Sequence, residues 1–226
     1  MKYTITGDNL QFVNIEINPG EVLNSVAGAM AYMTGNVRME AVMEGGLMSG
    51  LKRSLSGSSL FLVKYRSENS TGVVGLGGSV PGKILDIDVG KGNWIAQKTA
   101  YLGSEPTVKL DMALQKKLGA AFFGGEGFIL QKLSGQGMAF INACGDLNVV
   151  ELKAGEQYKV STANAVAWEE TVQYDIAAAG GIKTSLFGGE GLFVTTLTGP
   201  GKIVIQSMTL QDFANALIPY LPSNNS

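Results

Sequence analysis

Apolar and polar residues alternate with a period of two along most of this chain. Leu85, Ile87 and Val89 alternate with Asp86 and Asp88, which predicts a strand with one buried and one wet face. Val149-Val150-Glu151-Leu152 and Lys202-Ile203-Val204-Ile205 read as further strands, and Lys2-Tyr3-Thr4-Ile5-Thr6 alternates in the same way. Glycines punctuate these runs. Gly135-Gln136-Gly137 and Gly199-Pro200-Gly201 read as hairpin turns, because glycine enters positive φ without steric cost. The period changes near the C-terminus. Thr209-Leu210-Gln211-Asp212 has the form of a capping box with Asp in the acidic position. Leu210, Phe213, Ala214 and Leu217 then fall on one helical stripe, and Pro219 and Pro222 stop it. The pattern predicts a helix over 209–218, lying on the β-body or on a neighbouring subunit.

The strand pattern is written more than once. Phe123-Gly124-Gly125-Glu126-Gly127 recurs identically as Phe187-Gly188-Gly189-Glu190-Gly191. In the same register, Leu133-Ser134-Gly135-Gln136-Gly137 matches Leu197-Thr198-Gly199-Pro200-Gly201. A fainter copy begins at Gly57-Ser58-Ser59-Leu60, with Ser58 where the others carry Glu. A second marker, an apolar residue, two spacers and a glycine, runs through Ile17–Gly20, Ile87–Gly90 and Leu152–Gly155. Repeats at such a period point to one structural unit used several times. The expected architecture is mainly β: a single domain over 1–226, with units at roughly 1–80, 81–145 and 146–208 forming a pseudo-threefold β-body, plus the short C-terminal helix.

Composition narrows the chemistry. Glycine contributes 31 of 226 residues, about twice its average share, against only 6 prolines. That suits many tight turns between short strands. Charged residues make up 16% and the formal net charge is −2, which argues against a nucleic-acid surface, since phosphate neutralisation needs clustered Lys and Arg. The pairs Lys116-Lys117 and Lys52-Arg53 extend into no basic stripe interleaved with aromatics. No apolar run is long enough for a transmembrane helix and no secretory leader is visible, so a cytoplasmic protein is expected. The lone cysteine, Cys144, excludes an intrachain disulfide and reads as a small buried hydrophobe in Phe140-Ile141-Asn142-Ala143-Cys144.

There is no histidine. That removes the usual general base near neutral pH, every Ser-His or Cys-His nucleophile and the imidazole-rich metal sites. The glycine-rich words lack the Lys-[Ser/Thr] and the strand-to-helix context of a phosphate loop. No catalytic residue, metal site or cofactor is expected. Glu126 and Glu190 remain the candidate ligand-binding residues, because they occupy equivalent positions of two units and paired carboxylates can hold a cation or move a proton. Ser58 leaves such a set incomplete, and the plainer role is a polar turn residue bonding nearby amides. Asp86, Asp88, Glu169 and Glu170 read as wet strand faces. Met30, Met33, Met39, Met43 and Met48 crowd the first unit, as core filling or as an adaptable contact surface.

The stretch from Phe123 to Asp175 resembles the mitochondrial-biogenesis family named for altered inheritance of mitochondria. The likeness is carried by Phe-Gly-Gly-Glu-Gly, Leu-Ser-Gly-x-Gly, Gly145-Asp146, Gly155-Glu156, Val166-Ala167-Trp168-Glu169 and Tyr174-Asp175. The second Phe-Gly-Gly-Glu-Gly, Leu-Thr-Gly-Pro-Gly and the closing Gln206-Ser207 with its helix are similar too. The resemblance implies a β fold of three repeats similar to that of the tryptophan-RNA-binding attenuation protein, and it implies no catalytic residues. A bacterial-type member is the better fit, since no Arg- and Ser-rich transit peptide is visible.

The residues favour a non-catalytic binding or scaffold protein acting as a homo-oligomer, given the absent histidine, the open strand edges of a repeated β-body and the apolar helix. A small-molecule or RNA binder using grooves between the repeats is the second reading. An enzyme working through carboxylates is the third, and requires a deep pocket holding two or more of them.

Overall fold

The structure is a computed structural model and describes residues 1–42, 62–116, 127–178 and 193–221. It is mainly β, with several antiparallel sheets and one short C-terminal helix. The chain enters through β1 (Lys2–Thr6), then runs through β2 (Phe12–Ile17), β3 (Val22–Val26), β4 (Met30–Met33), β5 (Val37–Val42), β6 (Leu62–Ser67) and β7 (Gly72–Gly77). In this stretch β2 and β4 flank β7, while β3 and β5 flank β6.

The middle stretch holds β8 (Gly82–Asp88), β9 (Trp94–Gln97), β10 (Tyr101–Ser104), β11 (Val108–Lys116), β12 (Phe128–Gly135) and β13 (Met138–Cys144). Here β8 and β10 flank β13, and β9 and β11 flank β12. The last stretch holds β14 (Leu147–Leu152), β15 (Gln157–Ser161), β16 (Ala165–Glu169), β17 (Gln173–Ala178), β18 (Phe193–Thr198) and β19 (Gly201–Gln206). In it β14 and β16 flank β19, and β15 and β17 flank β18. Two pairings join the stretches, β10 with β3 and β16 with β9. The resulting sheets run β1-β2-β7-β4, β5-β6-β3-β10-β13-β8, β11-β12-β9-β16-β19-β14 and β15-β18-β17.

Alternation turns one face of each strand inward. On β2, Val13, Ile15 and Ile17 are buried while Asn14 and Glu16 are not. On β8, Ile84 and Ile87 are buried and Asp86 is exposed, with Val89 buried just beyond. Three apolar clusters make up the core. The first packs Val13, Ile15, Tyr65 and Leu76 against Leu102 and Phe140 from the middle stretch. The second holds Ile87, Trp94, Leu133 and Ile141 together with Leu62 from the first stretch and Val204 from the last. The third packs Trp168, Leu197 and Ile203 against Ile95, Phe128 and Leu130.

Turn chemistry explains the glycine marker. Gly20 and Gly155 have φ of +90° and +77°, and the carboxylate of the glutamate after each accepts from the backbone N–H of Asn18 (2.8 Å) or Lys153 (2.9 Å). Gly90 instead sits in a 3-10 turn capped by Asp88, whose Oδ1 accepts from the Gly90 N–H at 3.1 Å. The Gly135 and Gly137 turn joins β12 to β13 with φ of +102° and +106°, as the sequence predicts.

Asp86 departs from the expectation of a merely wet strand face. It accepts a hydrogen bond from the Tyr3 hydroxyl at 2.6 Å, tying β1 to β8 across 83 positions of sequence. The Tyr3 ring also meets Phe140 edge-on, with centroids 4.9 Å apart. Burial first, then the bond to Asp86 and the charges of Asp86 and Asp88, push the Tyr3 hydroxyl from 10.0 up to about 12. The folded protein therefore holds this proton where the unfolded chain has lost it. Stability is expected to be intact below pH 10 and to fall between pH 10 and about 12. Urea midpoints across that range should converge for the wild type and Tyr3→Phe as pH rises, since the variant has no proton to lose there.

Candidate ligand cleft beneath the terminal helix

The carboxylates singled out by sequence, Glu126 and Glu190, lie outside the described residues, as does Ser58. Gly127, the last residue of the first Phe-Gly-Gly-Glu-Gly word, is described and has φ of +78°. It lines a cleft of about 600 Å³. Four regions build the cleft: Ser79 and Val80 before β8, Gln97–Ala100 after β9, Phe128 and Ile129 on β12, and Asn142 and Cys144 on β13. Ala163 and Gln206 close one end, and Thr209, Leu210, Gln211 and Ala214 form its roof.

The roof is α1 (Leu210–Leu217), and its capping box is complete: the Thr209 hydroxyl accepts from the Asp212 N–H at 3.0 Å, and the Asp212 carboxylate accepts from the Thr209 N–H at 3.1 Å. Just before it, the Ser207 hydroxyl accepts from the Asp146 N–H at 2.8 Å, and Ser207 N–H donates to the Asp146 carbonyl at 2.9 Å. The helix is thus anchored at its N-terminal end. Its stripe, expected to lie on a packed surface, is only partly covered: Phe213 and Ala214 are half-buried, whereas Leu210 and Leu217 are 58% and 46% exposed. Of this stripe, Leu210 and Ala214 line the cleft.

Three amide side chains tie the walls to the backbone. Gln97 is buried, and its amide nitrogen donates to the Ala165 carbonyl at 2.7 Å and reaches those of Thr162 and Ala163 at 3.3 and 3.2 Å. Gln206 accepts from the Cys144 N–H at 2.8 Å and donates to the Ala163 carbonyl at 2.9 Å. Asn142 donates to the Lys83 carbonyl at 3.2 Å. These amides fix the loop 162–165 and the end of β13 in place. Cys144 is buried, and burial, followed by the negative charge of Asp212, pushes its thiol above the ordinary value, away from the reactive thiolate.

Among the described residues no Asp or Glu lines the cleft, and Lys98 is the single cationic residue of that lining. The described lining offers amides, hydroxyls and apolar surface, which can bind and orient a ligand. The acidic residues read as wet strand faces stand elsewhere. Glu170 accepts from Lys132 at 2.5 Å and from Asn93 at 2.8 Å, and these partners hold its carboxyl below the usual range. Glu169 accepts from the Lys202 N–H at 3.0 Å. Among the described residues no group of three or more His, Cys, Asp or Glu side chains could hold a metal ion, and no helix is long and apolar enough to cross a membrane.

The chain is similar to known proteins over nearly all of its length. An uncharacterized protein of Streptococcus pyogenes serotype M6 is 30% identical over 236 residues, covering 100% of this chain and 93% of that one. The X-ray crystal structure of a Streptococcus pyogenes protein superposes with a TM-score of 0.82 at 27% identity, covering 97% of this chain and 99% of the other. The sequence pattern of the Mitochondrial biogenesis AIM24 family matches residues 3–208, and the protein belongs to that family.

Proposed function

We propose that the protein is a non-catalytic binding protein, a homo-oligomeric scaffold whose cleft beneath α1 takes a small molecule with an apolar body and a neutral polar group. The observation that carries this reading is the lining of the cleft, which among the described residues consists of apolar side chains, hydroxyls, one lysine and amides already committed to backbone partners. Preformed, mostly apolar concavities with a few fixed polar groups are the usual form of small-molecule sites. The half-exposed helix gives such a ligand a way in. RNA in the grooves between repeats finds less support, since among the described residues one cation and one aromatic, Lys98 and Phe128, line this cleft.

The scaffold in this proposal is one domain of three tandem six-stranded units, on a plan like that of the tryptophan-RNA-binding attenuation protein. Supporting it, strand pairing within each stretch, counted from β2, β8 and β14, is the same throughout: the first and third strands flank the sixth, and the second and fourth flank the fifth. A cytoplasmic setting belongs to the same proposal, and the single buried thiol suits it.

The neutral fluorophore N-phenyl-1-naphthylamine tests the cleft directly. The wild type should enhance its emission to a plateau at one probe per chain. Ala214→Trp, which fills the roof side of the cleft, should abolish the enhancement while leaving the melting curve in place. Equal enhancement by both proteins would place the probe elsewhere and remove the cleft from the account.

A further inference from the structure

The two joints inside the chain follow one rule. The third strand of each later unit pairs with the second strand of the unit before it: β10 on β3 and β16 on β9. The residues in register also correspond. Gly103 stands opposite Ser25 and Ala167 opposite Ala96; one position on, Ser104 stands opposite Asn24 and Trp168 opposite Ile95. Each of these third strands carries an irregularity just before the joint, between Tyr101 and Gly103 and between Ala165 and Ala167.

The same rule leaves one third strand and one second strand without a mate. β4 is the third strand of the first unit and has the same irregularity, between Met30 and Tyr32. β15 is the second strand of the last unit. Among the described residues β4 ends its sheet and so does β15. Joined side by side, they turn the two short sheets into β1-β2-β7-β4-β15-β18-β17. From β2 onward that repeats the order of the two six-stranded sheets.

Exposure marks the same two strands as unfinished. Leu102 and Val166, at the irregularities of the internal joints, are buried, whereas Ala31 at the equivalent place is exposed. Trp94 on β9 is buried, and its counterpart on β15, Tyr158, is 37% exposed; Tyr32 on β4 is 46% exposed. The edge of β4, Met-Ala-Tyr-Met, carries neither charge nor proline to discourage pairing. The first and third apolar clusters each draw on the middle stretch and share no residue with one another. The second cluster draws on all three stretches, and β4 and β15 stand as complementary open edges.

We infer that β4 of one chain pairs antiparallel with β15 of a second copy, with Tyr32 opposite Val160 and Met33 opposite Lys159, so that chains join head to tail. This rests on the three-unit reading above and names the partner that makes the scaffold homo-oligomeric. Such a contact is heterologous, and it closes into a ring or extends as a fibre according to the rotation it imposes.

Single cysteines at opposed strand positions test it, since directly opposite residues lie within disulfide reach. Chains bearing Met33→Cys and chains bearing Lys159→Cys are mixed under mild oxidation, with Cys144 left buried as it is. Lys159 is exposed, and melting curves confirm that both variants fold. The expected result is a covalent species of doubled mass in the mixture, absent from either variant alone. A species of doubled mass from Met33→Cys alone would show a symmetric contact and overturn the proposal. A chain carrying both substitutions that cross-links only within itself would overturn it too, as would a strict monomer with no cross-link at tens of micromolar. None of these outcomes alters probe binding in the cleft, which stands or falls by its own titration.

Discussion

Replacing Trp168 with alanine is expected to lower stability by about 4 kcal/mol, within the range for a fully buried large aromatic, and the melting temperature by roughly 10 °C for a chain of this size. Trp168 is completely buried on β16, opposite Ile203 on one side and Ile95 on the other. Its ring lies 5.2 Å from that of Tyr174. Residues from the middle and last stretches meet around it, so a cavity there loosens the joint between them as well as the local packing. Among the described residues its indole N–H has no hydrogen-bond partner. The cost is thus one of packing, and Trp168→Phe should recover more than half of it by removing an unpaired buried donor while keeping a ring. Denaturant unfolding of the three proteins checks this; an alanine variant within 1 kcal/mol of wild type would mean the site collapses without loss (about a quarter of the expected cost).

Gly82→Ala is expected to cost about 3 kcal/mol, at the upper end for overpacking. A Cβ at this position would stand 1.8 Å from the Ala143 carbonyl oxygen and 2.9 Å from the Gly145 nitrogen. Both are backbone atoms, so no rotamer change relieves the clash. Gly82 faces Cys144 across the β8–β13 pair and bridges to Leu10 and Gly145. Prying this end apart moves Asn142 and Cys144, two walls of the cleft, and probe binding should weaken together with stability. Gly92→Ala is the control, since its Cβ meets nothing within 4 Å. Thermal melts of both variants, with the probe titration alongside, decide it; equal melting temperatures for the two would contradict the account.

What could be read in the sequence was local. The turn at Gly135–Gly137 and the capping box at Thr209 and Asp212 depend on residues within a few positions of each other, and both stand as expected. The alternation on β14 and β19 likewise marks strands that pair in register, Val149 with Val204 and Val150 with Ile203. The glycine marker was legible only in part. Gly20 and Gly155 make one kind of turn, whereas Gly90 makes another, because Asp88 caps a 3-10 turn in place of a following glutamate.

The cleft had no local signature. Its walls come from residues as far apart as Ser79 and Ala214, and the groups that stiffen it, Gln97 and Gln206, act on backbone carbonyls that no spacing reveals. A buried glutamine on a strand end is the one signal that could have pointed there. Tyr3 and Asp86 were each read as ordinary strand residues for the same reason: their partnership is set by the stacking of sheets, not by neighbours in sequence. The helix stripe was legible, but not the hollow beneath it, since periodicity records which face is apolar and says nothing of what fills the space opposite.

A protein that holds a small molecule in its cleft, as proposed, should carry that molecule through purification. Native mass spectrometry of the wild type and Ala214→Trp, both purified from the protein's own host, tests it most directly. The account predicts a small-molecule adduct of one per chain on the wild type and its loss from the filled variant. Bare chains in both preparations, or an adduct that persists in Ala214→Trp, would contradict it.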